Sequence, residues 1–430
     1  MAPLVSIQPW KGLYAAYVIA RAIVTLPWLL GRSSLPSTRP AAGWSFKMCM
    51  LNEVARQLLK FRSDTRSDDL ATVLADHRKA EAEGRFMLAM PPPPADSAEV
   101  YAHVLSSSVV KPAPVGGMWY PAPPPPPDPS GTQDEKVVLH FPGGAFVLAY
   151  GQEEQGRLVS RVMNRHLGAS RTLVAQYRLA SGAAPARFPA ALQDLATVYR
   201  HVLSLGVAPR NVVLSGDSAA GNLVLGLVRY LEEETPDASL PRPGGAIVWS
   251  PWVHVTPRAG ADYAAVRNEQ SDFLPASLLQ WGVDAYFPPD HDDERVRPYL
   301  SPLHRPFRTR VPLFVHAGGA EGFFDGVRDF AGQMAGVAGN RVRFHRTDLA
   351  PHDLVLSYGG SGWGGRSRRR RGMLGRSCLT GSSRDASPTH PFSSQSGVSI
   401  LVEETSSLNI NRSRLIFEDC LGAPTYSRLV

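Results

Sequence analysis

The chain has 430 residues, 43% of them apolar, which is enough for one large α/β domain with an appendage or for two domains. Its net charge of +7 is unevenly spread: residues 359–430 hold ten arginines against five acids, so the remainder carries only +2. A near-neutral body gives no case for a nucleic-acid enzyme. The three cysteines, Cys49, Cys378 and Cys420, have no metal-like spacing; they argue against a disulfide framework and fit a reducing compartment.

The first notable stretch is LYAAYVIARAIVTLPWLL, residues 13–30. It is close to the roughly 20 apolar residues that span a bilayer. Arg21 sits at its centre, however, and Pro27 near its end. Three readings stand: an amphipathic helix lying on the domain, an interfacial helix on a membrane surface, or a span. No small-residue cleavage site follows cleanly, so the expected location is cytoplasmic or associated with the endoplasmic-reticulum membrane rather than secreted. NEVARQLLKF (52–61) and LATVLADHRKAEAEGRF (70–86) keep apolar residues at three-to-four spacing. Residues 1–95 therefore read as a helical N-terminal region, closed by the Pro91–Pro94 run.

From 96 to 358 the texture changes. YAHVLSSSVV (101–110) and GGMWYPA (116–122) read as strands. Short apolar runs then alternate with helical stretches. The runs are KVVLHF, RTLVAQYRL, NVVLSG, GAIVWSPW, VPLFVHAG and RVRFHRT; the helices include AALQDLATVYRHVLSLG (190–206) and AAGNLVLGLVRYLEEE (219–234). That alternation predicts an α/β fold with a mainly parallel, doubly wound sheet. Ligands in such sheets bind at the carboxyl ends of the strands. Residues 359–430, rich in Arg, Gly and Ser, lack either rhythm and read as a low-complexity, disordered tail.

The chemistry gathers at strand ends. In VVLSGDSAAGNL a strand ends at Gly216, Ser218 follows, and a helix starts at once. This is the setting of a nucleophile elbow, with Ala220 where the usual pattern has its last glycine. A serine needs a base, and the base needs an orienting group. His352 follows the strand before APHDL; Glu321 and Asp325 follow VPLFVHAGG. Both acids stay open at this point, Glu321 being nearer the strand end and Asp325 a turn further on. A tetrahedral oxyanion needs amide donors. Ala219, just after the nucleophile, supplies one, and Gly143 and Gly144 in HFPGGAFV follow the right strand to supply others.

Together HFPGGAFV, YRLA, FPAALQD, GDSAAGNL, WSPW, GGAEGFFD and APHDL resemble the hormone-sensitive-lipase-like α/β hydrolases of the α/β-hydrolase fold-3 type, especially fungal esterases related to steryl acetyl hydrolases. The resemblance runs over roughly residues 100–358. It implies an α/β-hydrolase fold with Ser218 as nucleophile, Glu321 as acid, His352 as base, and Gly143, Gly144 and Ala219 as oxyanion donors. It also implies an N-terminal cap over the pocket and no cofactor or metal. The expected activity is hydrolysis of short-acyl esters of hydrophobic alcohols, an acetylated sterol or secondary metabolite among them. The expected partners are a small-molecule ester and a membrane surface at 13–30. Two departures stand out. Pro142 replaces the family's loop histidine, removing a side-chain anchor and an N–H. The family's last helix is replaced by the arginine-glycine tail. These departures support an alternative, a catalytically impaired protein acting as hydrophobic-ligand binder or scaffold.

Overall fold

A computed structural model describes residues 3–128, 135–182, 186–235, 240–357 and 403–405. The N-terminal region forms α1 (Trp10–Ser34), α2 (Phe46–Thr65), α3 (Leu70–Ala82), β1 (Phe86–Ala89) and α4 (Pro94–Val100). Next come β2 (Val115–Tyr120), β3 (Val137–Phe141), α5 (Glu153–Leu167), β4 (Arg171–Ala175), α6 (Ala190–Ser204), β5 (Val212–Asp217) and α7 (Ser218–Glu233). The chain continues through β6 (Gly245–Trp249), α8 (Ala259–Ala264), α9 (Ala276–Tyr286) and α10 (Arg297–Leu300). It then runs through β7 (Leu313–Gly318), α11 (Phe324–Ala335), β8 (Val342–Thr347), α12 (Leu354–Ser357) and β9 (Glu403–Thr405).

The strands form one sheet in the order β1-β2-β4-β3-β5-β6-β7-β8-β9. β1 and β2 run antiparallel to their neighbours, and every pairing from β4 onward is parallel. Alternate residues serve opposite faces, as the two-residue period of a strand requires. Leu139, Leu214, Val248 and Val315 join the core beneath α6, α7 and α11. Val138, Val213, Ile247 and Phe314 instead meet Val159 and Met163 of α5 and Val355 of α12. Both faces are therefore covered, which is why these strands read as continuous apolar runs.

Three expectations need correction. YAHVLSSSVV is not a strand: it holds a single 3-10 turn, His103–Leu105, and Tyr101 packs beside α6 with its hydroxyl on Thr197. A strand was also missed, because the helical rhythm of 70–86 hid β1; Gly84, at φ +67°, ends the helix in the conformation only glycine adopts freely. Since β1 pairs with β2, the helical region ahead of Pro91 is not separate from the sheet. The tail lies outside the described residues except for β9, which extends the edge beside β8.

α1 is 25 residues long, and none of its apolar 18-residue window is buried. By length and composition it could cross a membrane. It is tied to α2 near its start, where Tyr14 stacks on Phe61 and bonds Asp64, and Lys11 reaches Ser67.

Candidate active site

β5 delivers Asp217 and Ser218 to the carboxyl edge of the sheet, where α7 begins immediately. The turn is so tight that Ser218 sits at φ +51°, a strained conformation for a residue with a Cβ. Gly216 is required at the entry, because a Cβ there would lie 2.6 Å from the Ala220 carbonyl oxygen. Ala220 itself is fully buried and accommodated. Ser218 thus stands at the head of α7, where the first backbone N–H groups, Ala219 included, have no intrahelical acceptor and the helix dipole favours negative charge.

His352 comes from the loop after β8, and Glu321 from the loop after β7. Their side chains meet, with His352 Nδ1 3.4 Å from Glu321 Oε2, and both are almost wholly buried. Burial pushes the Glu321 carboxyl above its usual range, and the Asp272 charge adds to the effect. Burial works against the His352 cation, yet the bond to Glu321 and the charges of Asp272, Glu321 and Asp217 win, so its pKa is raised. Phe273 and Phe323 stand edge-on to the imidazole, at 5.8 and 5.2 Å between ring centroids. Asp325, the other acid considered from sequence, is not part of this group. It sits in the first turn of α11, half-exposed, 2.9 Å from Arg328 and 3.7 Å from Arg267.

The glycine loop is fastened to the elbow through Gly143. The Gly143 N–H donates to Asp217 Oδ2 at 2.8 Å, so that amide already has an acceptor. The neighbours on its far side, Gly144 and Ala145, line the cavity beside Ser218. Gly144 takes φ +116° and Ala145 φ +52°. The Gly143 amide is thus engaged by Asp217, and Gly144 and Ala145 are the loop residues that line the cavity together with Ser218.

The cavity has a volume of about 300 Å³. Ser218 and His352 lie on its floor, and Ala55 and Leu59 of α2 roof it together with Phe273, Leu274, Leu278 and Leu279. The roof is therefore built from two places, the N-terminal helices and the insertion between β6 and β7. Arg56 joins them, reaching the Glu269 carboxylate and the main-chain oxygens of Glu269 and Asp272. A second, mostly apolar cavity of about 210 Å³ lies behind, lined by Trp252, Tyr263, Phe323 and others. Leu279 is the residue common to both linings. Among the described residues no group of three or more His, Cys, Asp or Glu could hold a metal ion.

An eight-stranded, mostly parallel core sheet with a serine elbow after β5, an acid after β7 and a histidine after β8 is the arrangement of the α/β hydrolases. The chain belongs to that family: its alpha/beta hydrolase fold profile matches residues 138–356. The chain is 30% identical over 212 residues to an acetyl-hydrolase of Streptomyces hygroscopicus, covering 49% of this chain and 66% of the relative. A Schizosaccharomyces pombe protein provisionally named a steryl acetyl hydrolase is 28% identical over 131 residues, covering 29% of this chain and 32% of that one. The matches thus span less than two thirds of these relatives' own length. An esterase of Pyrobaculum calidifontis shares the fold, with a TM-score of 0.50, 21% identity and coverage of 71% of this chain and 91% of that one.

Proposed function

We propose that this protein is a serine carboxylic ester hydrolase acting on short-acyl esters of hydrophobic alcohols, acetylated sterols or secondary metabolites among them. The observation that carries the reading is the convergence of a strained Ser218, a buried His352–Glu321 pair and a glycine loop on one apolar cavity. In this reading Ser218 Oγ attacks the ester carbonyl while His352 Nε2 takes its proton. Glu321 orients the imidazole through Nδ1 and stabilises its cation. The N–H groups of Gly144, Ala145 and Ala219 receive the oxyanion. His352 then protonates the departing alcohol, and water, deprotonated by the same nitrogen, releases the acid from Ser218. The acetyl-hydrolase and esterase relatives are consistent with this chemistry. The small cavity favours a short acyl group, and its carbon-rich walls favour an apolar alcohol.

The same reading places the protein at a membrane surface. α1 presents Leu13, Tyr17, Ile19, Ile23, Val24 and Trp28 to solvent. The chain ahead of Glu53 has five cations and no acid, which suits an anionic lipid face. Co-sedimentation with phosphatidylserine vesicles, lost on deleting residues 3–34, tests this part.

One observation favours the non-catalytic reading: His352 Nε2 has no hydrogen-bond partner among the described residues, so it is not bonded to Ser218. Such bonds commonly tighten only when substrate is bound. Hydrolysis of p-nitrophenyl acetate and butyrate by the protein and by Ser218→Ala decides between the two. The esterase reading expects a rate at least about 10³-fold above the variant; equal rates leave a binder.

A further inference from the structure

We propose that His140 is a positioning residue for the oxyanion loop, acting on it through Asp217; the inference rests on the reading of Ser218 as nucleophile. Residue 142, directly ahead of the two glycines, is Pro142, whose ring offers no polar group to fasten the loop. The fastening is instead the Gly143 amide on Asp217 Oδ2. Only glycine fits there, because a Cβ at 143 would collide with that same carboxylate.

Asp217 is itself almost wholly buried, and a buried carboxylate is free to rotate unless its second oxygen is also held. The holder is His140, from the middle of β3, whose Nε2 lies 3.3 Å from Asp217 Oδ1. Neither atom has a hydrogen-bond partner among the described residues, so this contact at ion-pair range meets no competing bond on either side. The far side of the imidazole is fixed too: Nδ1 lies 3.0 Å from Ser215 Oγ. That hydroxyl accepts from the Trp249 indole at 3.3 Å, which leaves its own hydrogen to give to Nδ1. When that hydroxyl donates to Nδ1, a neutral imidazole carries its hydrogen on Nε2, facing Asp217. A chain of contacts thus runs from Trp249 through Ser215, His140 and Asp217 to the Gly143 amide. It sets the angle at which Gly144 and Ala145 present their own N–H groups beside Ser218. A histidine on the adjacent strand position pair does indirectly, from inside the sheet, the anchoring that Pro142 cannot do from the loop.

Two substitutions separate this role from mere packing. His140→Gln carries an amide near the position of Nε2 and keeps a donor for Asp217. His140→Asn carries one near Nδ1 and keeps only the Ser215 side. On p-nitrophenyl butyrate, with active protein counted by fluorophosphonate titration, His140→Asn is expected to lose about 10- to 100-fold in kcat with KM within about twofold, the signature of a displaced transition-state donor. His140→Gln should stay within about threefold of the parent in kcat. Adding Pro142→His to His140→Asn should restore part of the loss, since the loop regains a direct anchor. If His140→Asn does not fold, Asp217→Asn replaces it: its amide keeps an acceptor for Gly143 but turns a donor toward His140, and the same kcat loss is expected. Equal losses in the Gln and Asn variants, or a loss confined to KM, would overturn the inference. A parent no faster than Ser218→Ala would overturn the reading of the site, and the inference with it. A competent parent whose Asn variants keep its kcat would overturn the inference alone.

Discussion

Leu279→Ala should widen the range of acyl chains the protein accepts. Leu279 is 1% exposed and forms the wall between the cavity of about 300 Å³ at Ser218 and the one of about 210 Å³ behind it. Removing its three outer carbons joins the two spaces. Each additional methylene that enters apolar surroundings gains about 0.8 kcal/mol, or roughly fourfold in kcat/KM. Two further methylenes therefore shift the ratio of long-chain to acetyl hydrolysis by about an order of magnitude. The cost in stability is set by the void: Leu→Ala in a core loses about 2.7–5 kcal/mol, and walls already backed by a cavity cannot close in, so the upper half of that range applies. The assay is kcat/KM over p-nitrophenyl esters from acetate to decanoate, with urea denaturation run in parallel. A folded variant with the parent's chain-length profile would refute the claim that Leu279 divides one substrate space.

Three other outcomes follow from charged groups. The pKa of His352 is raised, and a general base works only when neutral, so kcat/KM should rise with pH through a midpoint above the ordinary imidazole value of about 6.5. Asp272→Asn removes a charge that favours the cation, so the rising limb should move to lower pH; a limb that stays in place refutes the assignment of Asp272 as a tuning group. Arg178→Met should destabilise the protein by about 3–5 kcal/mol in urea, because it strips the 2.7 Å partner from the fully buried Asp194. A loss below about 1 kcal/mol would mean that Asp194 is held by the remaining contacts alone.

The parallel core was legible because its strands are buried on both faces and so carry unbroken apolar runs. The elbow was legible because a strand, a small residue, a serine and a helix follow one another within a few positions. What escaped reading depended on contacts distant in sequence. β1 begins where a stretch with helical spacing ends and is held as a strand by pairing with β2. The choice between Glu321 and Asp325 turns on one helical turn, which points the second at Arg328. Asp272 and the roof residues of α9 belong to an insertion with no motif of its own. The loop's fastening joins residue 143 to residue 217, and the histidine behind it belongs to a strand face that sequence alone reads as core.

A nucleophilic Ser218 activated by His352 is open to covalent capture. The most direct measurement is intact-protein and peptide mass spectrometry after exposure to a fluorophosphonate. One adduct is expected, on the peptide carrying Ser218, absent from Ser218→Ala and formed at least about 10²-fold more slowly in His352→Ala. No adduct on the folded protein, or an adduct on another serine, would contradict it.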